Sequence, residues 1–173
     1  MGSYYDDATE ILTENGWKLF EDVIYKEKLA TVDPSTTNII YEEPKRLTKM
    51  SYNGEMIVGK SRFMDFKVTP GHRLLILTGS TDIFSNKNFK NYKFIKAEDL
   101  PPCCKMMKYK YPRGCKHGAC SYYGDYKVNR SLHLFKENYS GYVYCADVPT
   151  YHTLITRRST QGSIPSLILI SGM

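Results

Sequence analysis

The sequence predicts an all-β protein, and three observations carry that prediction. The 173 residues include 15 tyrosines, β-branched runs recur along the chain, and turn residues interrupt the apolar segments before any long helical pattern develops. The length fits one domain with enough chain to bury a core. Hydrophobic residues make up 42%, which excludes a disordered chain. The formal net charge of +6 would suit an acidic partner, nucleic acid included, although plain solubility accounts for it more simply. No run of 18 apolar residues is present, so no membrane span is expected. Met1-Gly2-Ser3-Tyr4-Tyr5-Asp6-Asp7 has neither the basic start nor the apolar stretch of an export signal. The five cysteines therefore read as reduced thiols of a cytoplasmic protein rather than a disulfide framework.

The elements follow in order. Thr9-Glu10-Ile11-Leu12-Thr13 reads as a strand, with a turn at Glu14-Asn15-Gly16-Trp17 whose tip is Asn-Gly. A short amphipathic turn or helix covers 18–23, and a hairpin pairs 29–33 with 39–44 across the Pro34-Ser35-Thr36-Thr37-Asn38 turn. A second hairpin is expected to pair 46–52 with 55–63 around Asn53-Gly54. A loop covers 79–82, and Lys87, Lys90, Lys93 and Lys96 read as a solvated face. The segment 94–100 runs from a strand into a short turn closed by Pro101-Pro102. Residues 103–130 read as the most irregular part, with seven Lys or Arg against Asp125 alone. Strands return at 132–135, 139–145, 151–156 and 164–173.

One turn concentrates chemistry. Asp65-Phe66-Lys67-Val68 alternates polar and apolar residues, Pro70-Gly71 turns the chain, and Arg73-Leu74-Leu75-Ile76-Leu77 resumes as a strand. That places the Thr69 hydroxyl and the His72 imidazole together at a sheet end. Such a pair suits polarising a carbonyl or protonating a leaving amine, although a short turn of this kind is commonly only a turn. Cys104, Cys115, His117 and Cys120, with Cys103, are weak candidates for zinc. Their spacing is loose, so metal is not the expectation.

In this order the pieces resemble an intein, or more broadly a Hint domain, the self-splicing module also found in hedgehog-type proteins. Thr9-Glu10-Ile11-Leu12-Thr13-Glu14-Asn15-Gly16-Trp17-Lys18 resembles the first conserved block of phage and metagenomic mini-inteins. Val68-Thr69-Pro70-Gly71-His72-Arg73 resembles the second, a Thr-x-x-His motif. Tyr139-Ser140-Gly141-Tyr142-Val143-Tyr144-Cys145-Ala146-Asp147-Val148-Pro149 and Leu154-Ile155-Thr156-Arg157-Arg158 resemble the late block. The blocks span nearly the whole chain.

The resemblance implies a single horseshoe-shaped, pseudo-twofold Hint domain over 1–173, with a basic Cys-rich insertion at about 101–130 and no homing endonuclease. It implies autocatalytic, single-turnover splicing without a cofactor. The partners would be the chain's own flanking segments (exteins), with no membrane or nucleic acid, and the protein would act as a monomer. Thr69, His72, Cys145, His152 and Asp147 carry the catalytic expectations. Ser3 and Tyr4 mark the first junction, and Gly172 and Met173 the second. Three departures matter. Ser3 or Tyr4 stands where the family begins with Cys or Ser, and Met173 stands where it ends in Asn, as in an inactivated or truncated form. Cys145 replaces the usual Asp, as in a minority class that lacks the first nucleophile and attacks with this thiol; that class tends to have Trp where this chain has Leu74. Direct attack would require a lowered thiol pKa; the alternative is an inert core cysteine. His152 either orients the second junction, paired with Asp147, or is a surface histidine. Arg157-Arg158 reads as solvated charge. The competing functions are a zinc- or nucleic-acid-binding module centred on 103–130, and a Hint domain kept for autocleavage alone.

Overall fold

Two antiparallel sheets share the strands of this chain, seen in a computed structural model that describes residues 2–61, 64–77, 92–110, 121–158 and 167–172. The strands are β1 (Thr9–Thr13), β2 (Gly16–Leu19), β3 (Leu29–Val32), β4 (Ile39–Glu42), β5 (Arg46–Ser61), β6 (Met64–Val68), β7 (Arg73–Leu77), β8 (Tyr92–Lys96), β9 (Cys103–Lys110), β10 (Ser121–Asn129), β11 (Leu134–Asp147), β12 (Thr153–Arg158) and β13 (Leu167–Gly172). The larger sheet runs β4-β3-β1-β12-β13-β9-β7-β8, with β2 on β1 and β10 on β9; the smaller runs β11-β5-β6. One α-helical turn, α1 (Arg130–His133), joins β10 to β11, with Asn129 Oδ1 accepting from Ser131 N–H as its cap.

Apolar runs without polar interruption arise because the larger sheet is covered on both faces. Alternate residues sort into two clusters, Ile11, Leu74, Ile76, Met106 and Leu154 on one side and Leu12, Leu75, Met107 and Ile155 on the other. Tyr5, Phe20, Phe66, Val68 and Tyr144 belong to the first cluster, so the N-terminal segment lies against that core.

Three sequence expectations change. The β1–β2 loop is Glu14-Asn15, because Thr13 pairs with Gly16; Gly16 takes φ 101°, which an L side chain rarely adopts. No hairpin forms at Asn53-Gly54. Residues 46–61 are one strand, and its partner is β11, with Asn53 opposite Ser140 and Gly54 opposite Tyr139. A turn signal is a local preference, and a fourteen-residue ladder to a distant strand overrides it. Residues 103–130 are not irregular where described. β9 and β10 form a ladder, and β9 buries Cys104, Met106, Met107 and Tyr109. The lysines that suggested a loop are interspersed with these residues. Lys93 and Lys96 are exposed as expected, while Lys87 and Lys90 lie outside the described residues.

Glu27 staples the N-terminal end of this fold. Its carboxylate is buried and accepts from Asn15 Nδ2 at 2.7 Å, Ile24 N–H at 3.0 Å and Thr13 Oγ1 at 3.2 Å, with Lys18 Nζ at 2.8 Å. Burial pushes its pKa up, but these partners more than offset that and hold it below the ordinary 4.5. A lowered folded-state pKa means that the stabilisation is complete above the ordinary glutamate value and is lost as pH falls through the lowered one. Glu27→Gln should therefore abolish that part of the acid dependence in urea melts. Glu27→Ala, which strands Lys18 and Asn15, should cost about 3 kcal/mol.

Candidate functional site

Residues 2–6 run between the end of β6 and the far part of β11. Tyr5 forms antiparallel bridges to both Val68 and Tyr144. Toward β11 it exchanges both backbone hydrogen bonds with Tyr144, at 2.8 and 2.9 Å. Toward β6, Thr69 N–H donates to Tyr4 O at 3.0 Å and Asp6 N–H to Lys67 O at 3.4 Å. Antiparallel register then places Tyr4 between Thr69 and Cys145. The Tyr4–Cys145 pair is of the non-hydrogen-bonded kind, in which facing Cα atoms stand only about 4.5 Å apart.

Thr69 grips this segment three ways. Beyond its backbone bond, Oγ1 accepts from Tyr4 N–H at 3.2 Å and donates to Gly2 O at 3.1 Å. The Tyr4 N–H thus faces Thr69, and a trans peptide turns the Ser3 carbonyl the other way, toward the strand of Cys145. Ser3 Oγ is occupied as an acceptor for Arg73 N–H at 3.1 Å.

The turn that delivers Thr69 is closed by His72 N–H donating to Thr69 O at 2.9 Å. It is braced from outside by the 3-10 turn Ala97–Asp99, where Ala97 N–H donates to His72 O at 2.7 Å and Glu98 N–H to Pro70 O at 3.1 Å. Both Thr69 and His72 are fully buried, and the His72 ring sits edge-on to Tyr5 at 4.5 Å. The imidazole is therefore fixed beside the residue that follows Tyr4.

Cys145 is partly buried near the end of β11, and its Sγ–H points to Ala146 O at 3.7 Å. Burial, then the charge of Asp147, push its thiol up to about 11. The lowered value that direct attack was expected to require is absent, and the resting side chain is a neutral thiol. A cleft of about 270 Å³, lined by Phe20, Leu47, Thr48, Tyr144 and Cys145 with the Glu21–Lys49 pair, opens beside it. That leaves room for a substituent on sulfur.

His152 and Asp147 lie on the surface, Nδ1 and Oδ1 3.9 Å apart, too far for a hydrogen bond. His152 adopts φ 57°, a strained value for this residue, and leads into Thr153. Thr153 Oγ1 is pinned to Val32 and Thr31 in the core. Thr153 also pairs with Gly172, which places Gly172 opposite the residue that follows His152; Met173 lies outside the described residues.

Two charged groups depart from the sequence reading. Arg157 and Arg158 are not solvated: Arg157 pairs with Glu10 at 3.1 Å over the Trp17 ring, and Arg158 bridges Asp6 at 2.9 Å and Asp65 at 3.0 Å with 14% of its side chain exposed. Neither Asp6 nor Asp65 was legible as a partner, because all three lie far apart in sequence. Of the zinc candidates, Cys104 is buried in the core with its thiol also pushed up to about 11 by burial, while Cys115, His117 and Cys120 lie outside the described residues.

No protein-family model matches the chain. A stretch of 90 residues, 52% of the chain, is 31% identical to the ATP-dependent Clp protease proteolytic subunit of Chlamydomonas moewusii; the match spans 8% of that protein's length. Among solved structures, the chain is similar to a splice-inactive AceL NrdHF class 3 split intein (TM-score 0.69, 15% identity, 98% of this chain and 97% of that one). It is similar to the PabCDC21-1 intein (TM-score 0.67, 16% identity, 98% of each chain). The DnaX mini intein from Spirulina platensis also matches (TM-score 0.61, 16% identity, 96% of this chain and 98% of that one). At these identities the likeness concerns the fold. With its antiparallel sheets closing around the N-terminal segment, the chain has the all-β Hint fold of the inteins.

Proposed function

We propose that the chain is a protein-splicing element of the mini-intein kind, acting once, as a monomer and without cofactor, on its own flanking segments, and that Ser3–Tyr4 is the bond it breaks first. The observation that carries this reading is the place of Tyr4 between Thr69 and Cys145. Tyr4 has no nucleophile able to shift the acyl group, and the Ser3 hydroxyl is held by Arg73 N–H. The thiol across the strand pair is left as the attacking group. Sγ gives up its proton and bonds to the Ser3 carbonyl carbon, and the Ser3–Tyr4 C–N bond breaks. Tyr4 nitrogen gains a proton and becomes a free amine, and the upstream segment remains as a thioester on Cys145. Thr69 Oγ1 fixes the departing nitrogen, and His72, one residue beyond, is assigned the proton transfer. Around the second junction, marked by Gly172 and Met173, His152 and Asp147 are the residues at hand, and cyclisation there needs a side-chain amide, which Met173 does not supply.

Four outcomes check this reading. With a partner protein fused before Gly2, dithiothreitol should release it at Ser3–Tyr4. Release should survive Tyr4→Ala and vanish in Cys145→Ala, as read by mass spectrometry; the reverse pattern would sink direct attack. His72→Ala should slow release by about 10²-fold or more. At pH 8, Cys145 should hold on the order of a hundredfold less thiolate than an ordinary thiol. Peptide mapping after iodoacetamide should therefore show it protected in the folded chain and reactive in urea. Met173→Asn followed by Cys or Ser should free a downstream partner that the parent retains; ligated flanks from the parent would overturn the assignment of that junction.

A further inference from the structure

The segment that carries Tyr4 is short, and its backbone bonds alone do not hold it in place. Beyond the Tyr5 bridges it has one bond on either side toward β6. A strand piece of this size slips readily unless its side chains specify register, because a one-residue slip sends every side chain to the opposite face. The Thr69 hydroxyl, bonded to Tyr4 N–H and Gly2 O, supplies one specification and Tyr5 a second through its burial. A third is Asp6, 1% exposed, whose Oδ1 accepts from Thr9 Oγ1 at 2.6 Å while Oδ2 meets Arg158 Nη2 at 2.9 Å. Arg158 extends its second nitrogen, Nη1, to Asp65 Oδ1 at 3.0 Å. Asp65 lies on β6, the strand that ends one residue before Thr69. A single guanidinium from β12 thus ties the segment carrying Tyr4 to the strand that delivers Thr69.

We propose that Arg158 is a positioning residue for cleavage at Ser3–Tyr4: its fork between Asp6 and Asp65 fixes the register that sets Tyr4 between Thr69 and Cys145. This rests on the reading of Ser3–Tyr4 as the first bond attacked. Arg is required by the geometry, since a planar fork serves two carboxylates at once where a Lys ammonium on one flexible stem serves one well. The arrangement is also poor value as a stability device. Burial holds the Asp6 carboxyl above the ordinary aspartate value even with Arg158 beside it, whereas the two carboxylates around Arg158 more than offset its own burial. A buried ion pair is weak evidence for stability, which leaves what it fixes in space as the role proposed for this one.

Arg157 provides a matched comparison. It is the adjacent residue and is also ion-paired, but to one carboxylate, Glu10 on β1, and it touches neither residues 2–6 nor β6 in the contacts observed. In the upstream-fusion precursor, at a temperature where circular dichroism shows every variant folded, Arg158→Met should slow dithiothreitol-induced release by on the order of tenfold or more. Arg158→Lys should recover part of that loss, and Asp6→Asn should slow release as Arg158→Met does. Arg157→Met should lower the melting temperature without slowing release. Equal slowing in the Arg157 and Arg158 variants, or release from Arg158→Met at the parent rate, would overturn the proposal. A parent precursor that leaves Ser3–Tyr4 intact would instead remove the junction reading, and the role of Arg158 with it.

Discussion

Everything at this site depends on Tyr5 bridging two strands that their own pairing keeps apart. Val68 pairs with Ile57 and Tyr144 with Lys49, eight positions away on the same strand β5. On a straight ribbon that separation is roughly 26 Å, yet two strands flanking a third stand only about 10 Å apart. The β5–β11 ribbon must therefore curl until its far part returns to the end of β6, and the N-terminal segment fills the gap that remains. Aromatic packing secures the closure: Tyr5 stacks on Phe20 at 5.4 Å, Phe20 on Tyr144 at 6.1 Å, and His72 meets Tyr5 edge-on. Gly59 contributes by having no side chain, since a Cβ there would run into the Phe66 ring across the pair. The place of Tyr4 between Thr69 and Cys145 is a consequence of ribbon curvature.

The parts of the fold and site legible in the sequence are those governed by neighbours in the chain. The Thr69–His72 turn was readable because alternation, Pro-Gly and a resumed apolar run all lie between Asp65 and Leu77. The all-β class was readable for the same reason. Asn53-Gly54 misled because a local turn preference, worth little, met a long ladder to β11 that no local pattern announces. Residues 103–110 misled because Lys105, Lys108 and Lys110 break the apolar pattern without strict alternation, and Met106 and Met107 are both buried, one in each core cluster. The burial of Arg158 lay beyond any local pattern, and the meeting of Tyr4 with Cys145 was legible only through the resemblance to inteins. Each is made by segments at least 93 residues apart, and charge alone does not say whether an arginine will find two carboxylates. The resemblance named Cys145 as a candidate, but its environment raises a pKa that direct attack was expected to need lowered.

That reversal bears on how such a site works. A thiol titrating near 11 costs roughly 5 kcal/mol to ionise at pH 7, some 3 kcal/mol more than an ordinary thiol. Holding two reacting groups in a near-attack arrangement is worth about 7–11 kcal/mol, so proximity outweighs the penalty. On the proposed reading, the fold gains more by turning the Ser3 carbonyl toward β11 than it loses by burying the sulfur assigned to attack it. The same burial keeps the thiol protonated in the resting chain, out of reach of adventitious electrophiles and slow to react with anything not already lying across the strand pair. A polarised, low-pKa cysteine at this position would be faster with every partner, flanking peptide and stray oxidant alike. A buried neutral one gives up intrinsic reactivity and leaves selectivity to register. On the proposed reading that register is held by the Thr69 hydroxyl together with Tyr5 and Asp6, the two residues that follow Tyr4.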